Sequence, residues 1–196
     1  MPARRLATLD RMIEELRTIW SEESDPGTRM HNARTILDQV LADPELRAHS
    51  QSWPSTVGQN LLFYEDPDFG FAINATVRPS GSVGTIHDHA HSWTLYGILD
   101  GTEQLERYER VDDGSRAGYA ELKLLTDTTM APGMVDFVAP YEIHAERGGD
   151  GRSVAVIIRS ERLVGRVLQR GFDPKAGTVW EMSGPTQVPF ELLAAE

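Results

Sequence analysis

The sequence predicts an all-β core preceded by a helical N-terminal segment, and two patterns carry this prediction. In residues 1–50 of the 196, apolar side chains recur at intervals of three and four, which is the period of a helix that faces a core. After residue 53, short runs rich in β-branched and aromatic residues recur roughly every ten residues, separated by turns that contain glycine or proline. This second pattern is typical of a β-sandwich or barrel rather than of alternating β-α units.

Three helices are expected in residues 1–50. The first apolar stripe ends at the turn sequence SDPG, residues 24–27. Its members are Leu9, Met12, Ile13, Leu16, Ile19 and Trp20. The second stripe consists of Met30, Ala33, Ile36, Leu37, Val40 and Leu41. Asp43 followed by Pro44 is typical of an N-cap and the first position of a helix, so a short third helix is predicted there.

Nine strands are expected after Trp53-Pro54. The β-rich runs are VGQNLLFY, FAINATV, VGTIHDH, WTLYGIL, EQLERYERV, YAELKLL, MVDFVA, SVAVIIR and LVGRVLQ. The breaks between them, such as DPDFG, RPSGS and APG, favour turns. We therefore expect residues 1–50 to be a helical segment that packs on a β-structure formed by residues 51–196.

Composition limits the classes of partner. The formal net charge of −11 and the pI of about 5.0 mean that nucleic acid and anionic membranes would repel the chain. Residues 1–16 carry charges where a signal peptide is apolar, and no apolar run is long enough to span a bilayer. We expect a cytoplasmic monomer or homo-oligomer with small-molecule partners. Because the sequence contains no cysteine, any metal must be held by nitrogen and oxygen ligands.

Residues 85–108, TIHDHAHSWTLYGILDGTEQLERY, contain three of the six histidines. Residues i and i+2 of a strand share a face, so His87 and His89 can bind a single ion. His91 would lie about 13 Å from His87 at about 3.3 Å per residue, which is far beyond what two metal–nitrogen bonds of about 2.0 Å can bridge. We therefore predict that His87 and His89 are metal ligands and that His91 lies in the surrounding pocket.

A third ligand and the pocket residues are expected from other strands. His144 is the only remaining histidine of the β-rich region, so it is the candidate third ligand. Period-2 counting from Thr94 points Tyr96 into the barrel, where it is either a catalytic phenol or core. Arg159 lies in the apolar run AVIIRS, and a buried guanidinium requires an anion. Either an internal carboxylate or a substrate supplies that anion.

The pattern resembles the cupin superfamily, and within it the cysteine dioxygenase group of thiol dioxygenases. The first cupin motif matches Gly81, His87, His89 and Gly101, while Thr94 stands where the motif has a glutamate. Loss of that glutamate is typical of the thiol dioxygenases, which bind iron through three histidines, and the second motif supplies the third one, here His144. The segments QNLL, residues 59–62, and GFDPKAGTVWEM, residues 171–182, also resemble segments of the family.

The resemblance implies a double-stranded β-helix and a non-haem Fe(2+) site, although Zn, Ni or Mn can occupy such ligands. It implies oxidation of a small thiol carboxylic acid to a sulfinate by O₂. Gln59 in place of an arginine resembles the 3-mercaptopropionate dioxygenases, in which an arginine near the C-terminal segment binds the carboxylate. Arg170 and Arg159 are the two candidates for that role, and Thr94 is counted with them as a substrate-binding residue.

The sequence also departs from the thiol dioxygenases. The Ser-His-Tyr alternation of the family corresponds to Ala155, Ile157 and Arg159, so the whole triad is absent. Tyr96 and His91 remain as candidate catalytic residues. Two alternatives therefore stay open: another metal-dependent cupin enzyme, such as a non-thiol dioxygenase, an isomerase or a lyase on a small organic acid, and a non-catalytic cupin that binds a small ligand.

Overall fold

The computed structural model describes residues 4–194, and the helical N-terminal segment is present as predicted. The helices are α1 (Ala7–Glu22), α2 (Pro26–Leu41) and α3 (Pro44–Ser50). Asp43 caps α3, because its side chain accepts hydrogen bonds from the backbone N–H groups of Glu45 and Leu46 at 2.8 and 3.3 Å. None of the helices in the described part of the chain is long and apolar enough to cross a membrane.

Twelve strands follow within the described residues. They are β1 (Gln59–Glu65), β2 (Ala72–Arg78), β3 (Ile86–His87), β4 (Thr94–Asp100), β5 (Glu103–Arg110), β6 (Leu122–Met130), β7 (Val135–Val138), β8 (Ile143–Gly148), β9 (Ser153–Arg159), β10 (Gln169–Asp173), β11 (Thr178–Met182) and β12 (Thr186–Pro189). They form two six-stranded sheets, in the orders β12-β1-β2-β9-β4-β7 and β11-β10-β3-β8-β5-β6. Neighbouring strands are antiparallel except for the parallel pair β1–β12.

The two sheets pack face to face around an inner core. Tyr96, Ile98, Ala155 and Ile157 of the first sheet contact Leu105 and Met130 of the second. This arrangement is the cupin-type jelly roll, or double-stranded β-helix, so the predicted fold class is confirmed. Gly101 makes the turn between β4 and β5 at a φ of +71°, where a Cβ would lie 2.4 Å from the carbonyl oxygen of Arg152.

Strand β9 is buried on both faces because helices cover the outside of the first sheet. Val154, Val156 and Ile158 belong to the core that the sheet shares with the helices, whereas Ala155 and Ile157 belong to the inner core. This double burial explains why SVAVIIR reads as a continuous apolar run rather than as an alternating one. It also places Arg159 on the inner face, two residues beyond Ile157.

Helix α2 approaches the sheet very closely at one point. A Cβ on Gly97 in β4 would lie 2.7 Å from Cδ1 of Leu41 and 3.0 Å from Cδ2 of Leu37. Only glycine therefore allows the helix to lie directly on the strand at this position. The contact fixes the outer face of β4, whose inner face carries Tyr96.

Several predicted strands are corrected by the structure. LVGRVLQ is not a strand, since Gly165 has a φ of +78° and the backbone N–H of Val167 donates to the carbonyl of Leu163, which makes a turn. VGTIHDH is regular only at Ile86–His87. Strands β8, β10, β11 and β12 were not predicted, because charged residues and glycine interrupt the apolar patterns of β8 and β10, and β11 and β12 have only 5 and 4 residues.

Asp66 ties helix α1 to the turn between β1 and β2. Its fully buried side chain accepts hydrogen bonds from the backbone N–H groups of Asp68 and Phe69, from the Tyr64 hydroxyl and from Nη1 of Arg17, the last at 2.5 Å. Burial favours a higher pKa for this carboxyl, but the four hydrogen bonds outweigh it and lower the pKa below its usual value.

We predict that Asp66→Asn lowers the free energy of unfolding by roughly 2 kcal/mol, because the charge-assisted bonds at a buried site are lost. Asp68→Asn is the matched control, since Asp68 binds the same arginine but is 65% exposed, and its loss should cost less than about 0.5 kcal/mol. Urea denaturation measures both. A lowered pKa stabilises the fold above about pH 4, where the unfolded carboxyl is ionised, so the Asp66 effect should fade as the pH falls below that value. Equal losses for the two variants would contradict the prediction.

Candidate metal centre

Three histidines meet inside the barrel. One ring nitrogen from each of His87, His89 and His144 lies within 4.8 Å of the others. His87 in β3 and His144 in β8 are register partners on neighbouring strands, and His89 follows β3 by two residues. The Nε2 atoms of His87 and His89 are 3.0 Å apart. The structure thus brings together the three residues that were expected to be ligands.

The other ring nitrogen of each histidine faces a protein group. Nδ1 of His87 donates to the carbonyl oxygen of Thr85 at 2.8 Å, and Nδ1 of His89 lies 3.1 Å from Oγ1 of Thr94. Nδ1 of His144 lies 3.6 Å from Oε1 of Glu146. Partners of this kind fix the orientation of histidines that bind metals, and here they leave the Nε2 atoms of His87 and His89 facing each other.

These residues fit a divalent transition metal. His144 is fully buried, yet neither of its ring nitrogens has a hydrogen-bond partner among residues 4–194. Burial, with a smaller contribution from the Arg159 charge, lowers the pKa of His144 to about 3 and that of His89 well below its usual range. The neutral imidazole is the form that binds a metal. Three imidazoles suit iron, zinc, nickel or copper, so the ligand set alone does not choose among them.

A cavity of about 400 Å³ opens in front of this cluster. His87 and His89 form part of its wall. Other residues that line it are Gln59, Arg78, Tyr96, Glu146, Ile157 and Arg159. Gln59 and Tyr96, which were expected to face the substrate, thus both face this cavity, Gln59 at its exposed rim and Tyr96 in its buried wall.

Arg159 is a buried cation without a protein anion. It is 5% exposed, and no carboxylate of the described residues lies within 4.0 Å of its guanidinium. Nη1 donates to Oγ1 of Thr94 at 3.0 Å and lies 3.3 Å from Nε2 of His89, while Nε has no partner among residues 4–194. Burial lowers the pKa of Arg159 to about 10, which still leaves it charged at neutral pH. Among residues 4–194 no carboxylate forms an ion pair with Arg159, although the Glu146 charge partly opposes the lowering of its pKa.

A second group of buried charges lies beside the histidines. The Tyr96 hydroxyl donates to Oε2 of Glu103 at 2.8 Å and accepts from Nε of Arg78 at 3.2 Å. Nη2 of Arg78 donates to Oε2 of Glu146 at 3.2 Å, and the Ser153 hydroxyl donates to Oε1 of Glu103 at 2.7 Å. Burial raises the pKa of Tyr96 well above its usual value and also raises that of Glu103. Burial opposes ionisation of Glu146, but the neighbouring His144 and the Arg78 charge outweigh it and lower the pKa of Glu146 to about 2.

The residues Arg78, Glu103 and Glu146 were not identified from the sequence. Two of them leave a signal there. Polar residues alternate in FAINATVR, at Asn74, Thr76 and Arg78, which marks the inner face of β2. Glu146 follows His144 by two residues and therefore shares its face.

Three expected pocket residues lie elsewhere. His91 is 60% exposed and pairs with Glu161 at 2.9 Å, because β3 ends at His87 and the backbone turns at Ala90, where φ is +48°, so the period-2 pattern does not reach it. Arg170 does not line the cavity, since its Nε and Nη2 donate to Oδ2 of the buried Asp88, both at 2.6 Å. Thr94 does not line it either, because its hydroxyl is turned toward His89 and Arg159. The structure therefore does not place these three in the cavity wall.

Comparison with known proteins gives similarity at the level of fold. No family model matches the chain, and no curated protein matches it. The solved structures similar to it include the DMSP lyase DddQ from Ruegeria pomeroyi DSS-3, with 20% identity, coverage of 47% of this chain and 39% of that one, and a TM-score of 0.36. KdgF from Halomonas sp. is 16% identical, with coverage of 52% of this chain and 76% of that one and a TM-score of 0.40. An uncharacterized conserved protein with a double-stranded β-helix domain from Klebsiella pneumoniae is 12% identical, with coverage of 62% of this chain and 85% of that one and a TM-score of 0.44.

The chain spans about two fifths of the length of DddQ and of a recombinant oxalate oxidase in complex with glycolate, which it matches with 15% identity, 47% coverage of this chain and a TM-score of 0.38. At such identities and TM-scores these similarities carry no inference about activity. The functional argument rests on the residues of the site.

We predict that His87→Ala, His89→Ala and His144→Ala each weaken metal binding by at least about 10- to 100-fold, the loss that removal of even an outer partner of a ligand causes. His91→Ala is the matched control and should bind metal like the unmodified protein, because its side chain lies at the surface. Competition with a chelator, under anaerobic conditions for Fe(2+), measures the affinities. A loss in His91→Ala as large as that in His87→Ala would contradict the assignment.

Thr94→Val should also weaken metal binding by about 10- to 100-fold, since the nearly isosteric valine cannot hydrogen-bond to Nδ1 of His89. Thr94→Ser keeps the hydroxyl and should retain most of the affinity. The same chelator competition compares the two variants, with circular dichroism as the check on folding. Equal affinities for the valine and serine variants would show that the hydroxyl does not position the ring.

Proposed function

We propose that this protein is a metal-dependent cupin enzyme that acts on a small carboxylate-bearing substrate, and specifically a non-haem iron dioxygenase that oxidises the sulfur of a small thiol carboxylic acid to a sulfinate. The observation that carries the proposal is Arg159. A buried guanidinium without a protein carboxylate lies beside three converging imidazoles, at the wall of a cavity large enough for a small molecule. Both halves of a thiol acid, the charged end and the reactive end, thus have a suitable neighbour.

Arg159 is suited to a carboxylate in both charge and shape. A guanidinium offers two parallel, charge-assisted donors to a carboxylate, and at a buried site this recovers hydration that both ions lose. Nη1 is held by Thr94, so the group is oriented before the substrate arrives. Because Nη1 also lies 3.3 Å from Nε2 of His89, a carboxylate bound to Arg159 keeps the rest of a short substrate next to the histidines.

The overall reaction balances without a further reductant. A thiol and O₂ give a sulfinic acid, with both oxygen atoms ending on the sulfur, which loses four electrons as O₂ gains them. When bound at His87, His89 and His144, iron supplies the redox chemistry that this spin-forbidden oxidation requires. The protein contributes orientation through Arg159 and a water-poor wall through Ile157 and the ring of Tyr96.

Tyr96 has a defined part in this wall. Its raised pKa keeps the hydroxyl protonated at neutral pH, and that proton points to Oε2 of Glu103. The oxygen of Tyr96 accepts from Arg78, which in turn binds Glu146. The phenol is thereby held in one orientation at the cavity surface.

The same group of residues favours a second candidate function. A tyrosine linked to buried carboxylates is a suitable acid–base pair, so a metal-dependent lyase or isomerase acting on a small acid is the alternative. In that case Arg159 keeps its role, and proton transfer at Tyr96 replaces oxygen chemistry. The two candidates differ in whether O₂ is consumed.

Oxygen uptake by the iron-loaded protein distinguishes these candidates. The panel pairs carboxylated thiols with the corresponding decarboxylated thiols, and sulfinate is quantified beside O₂. The proposal expects stoichiometric uptake with at least one carboxylated thiol and little with its decarboxylated counterpart. No uptake with any thiol would remove the dioxygenase and leave the acid–base alternative.

We predict that Arg159→Gln raises KM for a carboxylated substrate by about 10- to 100-fold, since a charge-assisted contact of roughly 1.5–3 kcal/mol is lost. Metal content should be unchanged. Arg170→Gln is the matched control and should leave KM unchanged, because this arginine binds Asp88 outside the cavity. If Arg170→Gln raises KM and Arg159→Gln does not, the substrate carboxylate binds at Arg170 and the assignment to Arg159 is wrong.

A further inference from the structure

Gln169 carries a buried side-chain amide that the protein does not use. The residue is 1% exposed, and neither Nε2 nor Oε1 has a hydrogen-bond partner among residues 4–194. Buried amides without partners are rare, because the lost hydrogen bonds to water are not replaced. An apolar side chain of the same size would fill this space at lower cost.

The amide lies at the wall of the substrate cavity. Gln169 is one of the residues that line it, as is Met182, its register partner on β11. Gly171, two residues further along β10, is the register partner of His87. Residues two apart share a face of a strand, so Gln169 faces the same side of the sheet as the metal-binding cluster.

The crossover from β11 to β12 passes directly over this amide. A Cβ on Gly184 would lie 2.5 Å from Nε2 of Gln169, and Gly184 has a φ of +70°. Glycine therefore allows the backbone to close against the amide. The crossover also contributes Gly184 and Pro185 to the cavity wall, so it lies beside Gln169 at the cavity.

Another buried glutamine of the chain shows the usual arrangement. Gln187 is 6% exposed, but its Nε2 donates to Oδ1 of Asn74 at 2.9 Å and its Oε1 accepts from Nε of Arg162 at 3.1 Å. Its amide joins elements of the fold. Gln169 has the same side chain at a similar depth without such a structural use.

We infer that Gln169 is a substrate-specificity residue, which pairs through Nε2 and Oε1 with a neutral group of the substrate that both donates and accepts a hydrogen bond. A hydroxyl or a carboxamide meets both requirements, whereas a methyl meets neither and an ammonium only donates. The inference deepens the proposed function and rests on it, because the cavity must be the substrate site. With Arg159 binding the carboxylate, the substrate class becomes a small acid that also carries a hydroxyl or a carboxamide.

Direct binding tests this without any turnover. Straight-chain acids of two to six carbons are compared by calorimetry with the ω-hydroxy acids and ω-amides of the same length, using the purified full-length protein with the metal it carries. At one length, the hydroxy acid or the amide should bind at least about tenfold more tightly than the parent acid, since a buried polar group left unpaired is costly. Gln169→Met should abolish this preference, so that the hydroxy acid, the amide and the parent acid bind with similar affinities.

The stability of the ligand-free protein provides a second readout. Gln169→Met should raise the thermal midpoint by about 2–4 °C, because an unpaired buried amide is replaced by an apolar side chain of similar volume. Gln187→Met is the matched control and should lower the midpoint, since it breaks the bonds to Asn74 and Arg162. A lower midpoint in both variants would show that Gln169 is structural and would overturn the inference.

Arg159→Gln distinguishes a failure of the specificity role of Gln169 from a failure of the proposed function. Suppose that Arg159→Gln weakens the binding of all the acids alike. If the unmodified protein then shows no preference for hydroxy acids or amides, or if that preference survives in Gln169→Met, the specificity role fails and the carboxylate site stands. If Arg159→Gln has no effect on any acid, the proposed function fails, and the inference fails with it. Loss of the preference only in Gln169→Met, together with the raised midpoint, supports both.

Discussion

The burial of β9 on both faces is the constraint on which the rest of the molecule depends. Its outward residues, Val154, Val156 and Ile158, are packed under the helices, and its inward residues lead to Arg159 beside the histidines. A shift of one residue in the register of this strand would exchange the two sets and move a guanidinium into the helix-covered core. Hydrophobic packing on the outside thus determines where the charge lies on the inside.

The two arginines inside the barrel, Arg78 and Arg159, differ in the number of carboxylates that they contact. Arg78 contacts both Glu103 and Glu146, so one cation serves two anions. Arg159 contacts no anion of the described residues and faces neutral imidazoles. Arg78 therefore stabilises the wall of the cavity, whereas Arg159 remains available to a ligand. A bound carboxylate would stabilise the folded protein as well as occupy the site.

Much of the fold and part of the site could be predicted from sequence. The helices and the inward direction of Tyr96, Ile157 and Arg159 follow from periodicity, which is a local property. The grouping of His87, His89 and His144 was expected from spacing and from resemblance, and the structure brings them together. Local patterns determine the face of a strand on which a side chain lies, so this face can be predicted from the sequence.

The remaining errors have a common physical origin. Arg78 of β2 and Glu103 of β5 belong to different sheets and meet because the sheets pack face to face, and Gln169 reaches the cavity from β10 of the second sheet. Pairing between distant strands leaves no local signal. His91 and Arg170 lie outside the cavity wall for a related reason, because a single residue with positive φ, or a single nearby carboxylate, redirects a side chain that was expected to point inward.

The pairing of β12 with β1 has a consequence for the wall of the cavity. Gln59 and Thr186 are register partners although most of the chain separates them, so this contact carries a large loop-closure entropy. Strand β12 also lies at the edge of its sheet, with a neighbour on one side only. Gln187 of this strand bonds to Asn74, and the buried Leu192 beyond the strand belongs to the helix-covered core. The crossover that contributes Gly184 and Pro185 to the cavity wall is therefore held by the segment that follows it, so this part of the wall depends on contacts made late in the chain.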